Sequence, residues 1–274
     1  MKRSIKHLMI LMLPVMNTHL CTAQQYRFSN GLYRIPYENG VSVKVGTNVW
    51  NHDPLGCFDM WGTGGSSYNI VAAAGGWIRA IRDFNDISCN SEQNCCNQYN
   101  NYIVLEHPNG EWSTYIHLQK NSITNLGHQV GNWVNVGTVL GKEGDVGCAS
   151  SSHLHLEISR PFDPTNAWEA YDGVLRRHGE LLNPVFCNVS TGYLAANTTY
   201  TANNCNDNCN TNITTSGTPS NIVLRADNSI NSTQVFNSSS TGMYRAGTQV
   251  VLTAGFEAKL GTMFCAQIKQ CNEQ

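Results

Sequence analysis

This 274-residue sequence has no long apolar run beyond its first two dozen residues. A membrane helix needs about 20 consecutive apolar residues, so the body of the chain is expected to be soluble. Charge is scarce as well: Asp, Glu, Lys and Arg make up 13% of the residues, about half the usual share. Asparagine, serine, threonine and glycine stand in their place, as suits an exported β-rich protein. A basic surplus is missing too. The formal net charge is −2, and it becomes −5 without Lys2, Arg3 and Lys6, three of the 17 basic residues. That argues against nucleic acid as the main partner. The sequence also lacks the HExxH of helical zinc proteases, the paired CxxC of zinc ribbons, and any long amphipathic helix. "AWEAYDGVLRRHG" (167–179) is the best candidate for a short one.

What is present begins with a leader. Lys2, Arg3 and Lys6 precede the apolar "LMILMLPVM", and "CTA" at 21–23 supplies small residues for cleavage before Gln24. Residues 1–23 read as a secretory signal peptide, placing the mature chain outside the cell, in the periplasm or on the cell surface. Ten of the 11 cysteines follow it, an even number that predicts disulfides in an oxidising compartment. Cys205 with Cys209, Cys265 with Cys271, and Cys89 with Cys95 or Cys96 are close enough for local loops.

The mature chain divides by composition. Residues 24–40 form an N-terminal segment, too short for an independent pro-domain yet long enough to occlude a cleft. Residues 41–187 carry short alternating segments between Gly, Asn and Pro turns. They include a hairpin, "NYIVLEH" and "EWSTYIHL", around Pro108-Asn109-Gly110. Residues 188–220 are almost wholly polar and read as a linker or surface arm. Residues 221–274 resume strand-like alternation as short strands turned at glycines. The fold class is mainly β: an antiparallel sheet or sandwich with a smaller C-terminal β module.

Chemistry concentrates in histidines. Side chains at i and i+2 of a strand share a face. In "SSHLHLEIS" (151–159), His153, His155 and Glu157 therefore point one way, and Leu154, Leu156 and Ile158 point toward the core. "WNHDPLGCFDMWG" holds His52 and Asp59 around a Pro-Gly turn. A catalytic zinc takes three protein ligands and keeps one position open; His52, Asp59 and one histidine of the later pair make that count. In "TYIHL", His117 shares a strand face with Tyr115. A histidine there, not needed as a ligand, would orient water or stabilise negative charge. His107 and His128 read as surface residues, and His178 as the end of a short helix.

Together, "HDPLGCFD", the hairpin leading to "YIHL", "VGNWVNVGTVLGKEG" and "HLHLE" resemble the lysostaphin-type (LytM-like) zinc endopeptidases from about Val41 to Ile158. The resemblance implies Zn2+ as cofactor, held by His52, Asp59 and His155, with His117 and His153 as the catalytic histidines beside it. Tyr115 and Glu157 are expected as supporting partners, Glu157 orienting an imidazole. The implied reaction is hydrolysis of peptide bonds in peptidoglycan cross-links or glycine-rich proteins. The alternatives are a non-catalytic scaffold of the same family or a cell-surface binding protein. The sequence departs from the family in the spacing between His52 and Asp59, and in "CASSS", which replaces the usual Gly and Pro before the histidine pair. Cys57 and Cys148 are expected in disulfides that brace the rim. The C-terminal segment "YRAGTQVVLTAGFEAKLGTMFCAQI" resembles β modules that end secreted proteins of Bacteroidetes-like bacteria, which suggests contact with the envelope or a glycan.

Overall fold

The computed structural model describes residues 20–21, 27–65, 67–89, 96–187, 189, 191–205 and 209–269. The leader expected over 1–23 lies outside them, apart from Leu20–Cys21, which pair antiparallel with Cys265 and Ala266. Cys95 and Cys271 are outside as well.

Short β-branched and aromatic segments separated by glycine turns cannot build long helices, and they pair instead. Among the described residues a ten-stranded sheet dominates. At its centre strand Leu154–Pro161 lies antiparallel between Phe58–Gly62 and Trp112–Ile116. The expected hairpin forms from Tyr102–Glu106 and Trp112–Ile116, turning at Gly110 with φ 78°. Alternation sorts the central strand: Leu154, Leu156 and Ile158 join Val43, Val45, Phe58, Met60 and Tyr115 in the main core. Each such buried side chain contributes about 1.5–3 kcal/mol.

The sheet draws in residues on both sides of 41–187. Arg27–Tyr33 runs parallel to Gly179–Phe186, and Tyr33, Ile35 and Tyr37 are core residues. The buried carboxylate of Glu111 accepts hydrogen bonds from the Asn30 and Gly31 amides and the Tyr33 hydroxyl. The expected occluding segment is therefore part of the fold, because its aromatic residues have a core to enter. The polar stretch after 187 is also structured. Thr198–Thr201 adds an antiparallel edge strand beside Ser42–Thr47, and Asn210–Thr215 pairs with Asn221–Ser232. Threonine-rich edges suit strands with one solvated face.

The C-terminal strands stack parallel. Asn221–Ser232 pairs with Thr241–Ala246, which pairs with Met263–Ile268. Ala226, Ile230, Phe236, Tyr244 and Phe264 fill the interior. Gly255 and Gly261, at φ 103° and 87°, make turns that L-residues rarely adopt. Met243, Met263 and Cys265 also pack against Phe28, Leu32 and Val185, joining this stack to the main sheet.

Disulfides link Cys89 to Cys96 and Cys187 to Cys205. The second pairing replaces the expected Cys205–Cys209 loop, and it ties the end of strand Gly179–Phe186 to the stretch that follows Thr198–Thr201. Cys148 and Cys265 are disulfide-bonded, whereas Cys57 is a buried free thiol rather than a rim brace. The helix expected in 167–179 is absent. Gly173 sits at φ 84°, and the Asp172 carboxylate accepts from the Val174 amide, a local bond that competes with helix. His178 accordingly lies in a turn. Among the described residues no helix is long and apolar enough to cross a membrane.

Candidate active site

Strand register assembles the site. His155 is paired directly with Asp59 on one side and with Ile116 on the other. Residues directly opposite in antiparallel strands share a face, so all three project into one cleft. Its volume is about 390 Å³, and its lining includes His52, Asp59, His117, His153, Val174 and Arg176.

The same register corrects the expectation for Tyr115. It is paired with Leu156 and enters the core, where its hydroxyl accepts from the Ala73 amide and the Ser113 hydroxyl. Burial pushes that phenol up to about 12. Simple alternation would send His117 to the Ile116-opposite face, into the core as well. Instead His117 adopts φ 71°, a left-handed conformation costing about 1–2 kcal/mol for an L-residue. The turn is held by the His117 amide donating to the Asn101 carbonyl at 2.9 Å. His117 is thereby returned to the cleft, with ring centroids 4.8 Å from His153 and 5.9 Å from His155.

His52, Asp59 and His155 offer ligand atoms within 4.8 Å of one another. His52 Nε2 is 3.1 Å from Asp59 Oδ2, and His155 Nδ1 is 3.1 Å from Asp59 Oδ1. His153 Nε2 lies 3.5 Å from the same Oδ1. The other nitrogen of every ring is already committed to an acceptor. His52 Nδ1 donates to the Pro54 carbonyl at 2.7 Å, His153 Nδ1 to the Ser151 carbonyl at 2.8 Å, and His117 Nδ1 to the Val146 carbonyl at 2.9 Å. His155 is reversed: its Nε2 donates to Glu157 Oε1 at 3.1 Å.

These partners fix each neutral ring with its lone pair toward the cleft. Lone pairs of His52 and His155 then face carboxylate oxygens at 3.1 Å, a repulsive contact unless a cation or extra protons intervene. Two imidazoles and one carboxylate suit a tetrahedral metal with one open position, so the donor set fits a metal ion. Burial raises the Asp59 pKa, but once a proton lies between the rings and its oxygens, hydrogen bonds from His153, His155 and His52 prevail and hold its carboxyl well below the usual range. Burial opposes charge on His155, yet Cys57, Asp59 and Glu157 raise its pKa well above the ordinary value. His117 goes the other way: burial, then the neighbouring His153 and His155, hold it well below normal and neutral.

Glu157 is wholly buried. Its Oε2 accepts the Leu175 and Arg176 amides at 2.7 and 3.1 Å, and its Oε1 pairs with the Arg176 guanidinium. Burial alone would raise its pKa; His155, Arg176 and the Leu175 amide outweigh that and bring it to about 2. Cys57, His155 and Glu157 form a second cluster of donors. Burial, aided by Glu157, pushes the Cys57 thiol up to about 11, and Glu157 is already engaged by Arg176, so that cluster is the poorer cation site. His107 is buried rather than on the surface, bonded to the Gly75 carbonyl and the Ser113 hydroxyl. His128 bonds the Val139 carbonyl away from the cleft. Sequence reasoning missed Ile116, Val174 and Arg176 as cleft residues. Only the register marks the first, and nothing local marks the other two.

Residues 57–167 match the model of peptidase family M23. The match begins at Cys57, so His52 joins the site by geometry alone. Among solved structures, a peptidase M23 from Pseudomonas aeruginosa is 24% identical with TM-score 0.31, over 48% of this chain and 48% of that one. The lysostaphin catalytic domain from Staphylococcus simulans is 20% identical with TM-score 0.30, over 49% and 83%. A zinc-containing peptidase from Vibrio cholerae is 18% identical with TM-score 0.28, over 49% and 35%. The chain thus spans about half the length of the P. aeruginosa structure. No curated protein matches. Over residues 57–167 the chain is thus similar to peptidase family M23, and within and beside that stretch two imidazoles and a carboxylate gather at one cleft.

Proposed function

We propose that the chain is a secreted zinc-dependent endopeptidase that hydrolyses peptide bonds in peptidoglycan cross-links or glycine-rich peptides. The observation that carries this reading is the pair of 3.1 Å approaches by His52 Nε2 and His155 Nδ1 to the two oxygens of Asp59. His52, Asp59 and His155 hold the metal. Zinc, when bound, lowers the pKa of a water toward about 7 and polarises the scissile carbonyl.

This chain's own residues do the rest. The Val146 and Ser151 carbonyls fix the Nδ1 protons of His117 and His153, so the Nε2 lone pairs face the cleft. His117 or His153 accepts the proton of the attacking water and later delivers one to the leaving amine. Neutral His117 also donates no unwanted charge to the site. Glu157 fixes the proton on His155 Nε2 and so keeps Nδ1 available as a ligand.

Residues 1–23 act as the export signal, and the disulfides suit the compartment beyond. The peptidase unit is centred on residues 41–187, and the 221–274 stack contacts the envelope or a glycan. A scaffold without catalysis is the second reading, and it is disfavoured by the full donor set. The deciding experiment incubates the purified chain with zinc or with a chelator on peptidoglycan and on pentaglycine, and identifies new termini by mass spectrometry. New termini with zinc alone support the peptidase; none on either substrate with zinc bound contradicts it.

A further inference from the structure

Arg176 lines the same cleft as the histidines; its Nη1 braces Glu157 behind His155, and the rest of its guanidinium has no part in the metal site or the proton transfers. The guanidinium is held in place rather than free to sweep. Glu157 takes its backbone amide with one oxygen and Nη1 with the other, and the side chain keeps 18% of its exposure. Among the described residues, Nη1 is the only guanidinium nitrogen engaged, so donors on Nε and Nη2 remain. Among the described residues Arg176 is also the only Lys or Arg in the cleft lining, where the described acids are Asp53 and Asp59. Both acids belong to the segment that carries His52. Ile116 and Val174 add apolar lining to the cleft. The cleft is thus polarised, with acids on the segment that carries a metal ligand and a fixed fork of donors on the segment that carries Val174.

We propose that Arg176 is a specificity-determining residue that receives a carboxylate of the substrate peptide, so that the preferred substrate is an acidic peptide rather than a neutral glycine run. The inference rests on the peptidase reading and selects between its two substrate classes. A guanidinium matches a carboxylate with two parallel N–H donors, and here the fork is pre-ordered by Glu157, so little rotamer freedom is lost on binding. Pentaglycine offers only its terminal carboxylate. Stem peptides of peptidoglycan carry carboxylates within the chain.

The test uses the zinc-loaded full chain and cross-linked muropeptide peptides in three forms: side-chain carboxylates free with amidated termini, termini free with amidated side chains, and all carboxyls amidated. The expected result is a kcat/KM at least about tenfold higher for one free-acid form than for the fully amidated form. The form preferred identifies which carboxylate is read. In Arg176→Gln that ratio falls to about one, and in Arg176→Lys it is intermediate. A ratio near one in the unsubstituted chain overturns the inference without any variant having to fold, as does a ratio that survives in Arg176→Gln. Binding of the same peptides to zinc-loaded His153→Ala is measured by calorimetry. Tighter binding of the free acid with no hydrolysis by the unsubstituted chain sinks the peptidase reading and leaves the Arg176 assignment standing. Hydrolysis with no carboxylate preference does the reverse.

Discussion

Glu157 Oε1 lies 3.1 Å from His155 Nε2, and on the opposite edge of that ring Nδ1 lies 3.1 Å from Asp59 Oδ1. One imidazole is therefore gripped between a carboxylate that orients it and a carboxylate that shares its proposed metal. Because Cys57, the Glu157–Arg176 pair and the 174–176 turn all bear on this ring, it is the point where packing meets chemistry.

Glu157→Gln removes the acceptor charge behind His155 while nearly keeping its shape. Outer partners of this kind are worth about 10–100-fold in metal affinity. The variant is expected to bind zinc that much more weakly in competition with a chromophoric chelator. An unchanged Kd would mean that Glu157 only braces the 174–176 turn.

Metal loading is expected to release protons. Without metal, the raised pKa of His155 leaves its ring charged at neutral pH, and a ligand must be neutral. Apparent zinc affinity therefore rises with pH up to the His155 pKa and levels off above it. Stability of the metal-free chain runs oppositely: the contribution of His155 is fully present below its unfolded pKa near 6.5 and is lost as pH rises through the folded one. Zinc titrations in two buffers of different ionisation enthalpy measure the protons released; none released would refute this picture.

His117→Ala is expected to retain zinc, because the ring bonds the Val146 carbonyl and not Asp59. Turnover should drop about 10²–10⁴-fold, the usual worth of a positioned acid–base group. Metal content by atomic emission, measured beside kcat, separates this from simple unfolding.

The Cys187–Cys205 bond closes a loop of 18 residues in sequence. Chain entropy assigns such a loop about 3 kcal/mol. Cys187→Ser with Cys205→Ser is therefore expected to lower the denaturation midpoint by a corresponding amount in urea, with the slope of the transition nearly unchanged.

The central strand was plain from its letters: Leu154, Leu156 and Ile158 alternate with His155 and Glu157, and the core follows that period. Asp59 and His52 stand out in the letters as candidate donors because few residue types serve, and the fold brings the two to one cleft 3.1 Å apart. What the letters hide is register and backbone handedness. The pairing of Tyr115 with Leu156 sends that phenol to the core, and φ 71° at His117 brings the imidazole back, so two residues judged to share a face do not. The polar run after 187 contributes strands because tertiary neighbours supply the partners that its composition lacks. Arg176 escapes a sequence reading altogether: its position in the cleft is set by Glu157, 19 residues away.

The central claim is that the two histidines of "HLH" are unequal, His155 binding metal and His153 serving the reaction. It is tested most directly by measuring zinc content and peptide hydrolysis side by side in His155→Ala and His153→Ala. The account predicts that His155→Ala loses both, while His153→Ala keeps its zinc and stops turning over. Zinc retained with activity in His155→Ala, or zinc lost from His153→Ala alone, would contradict it.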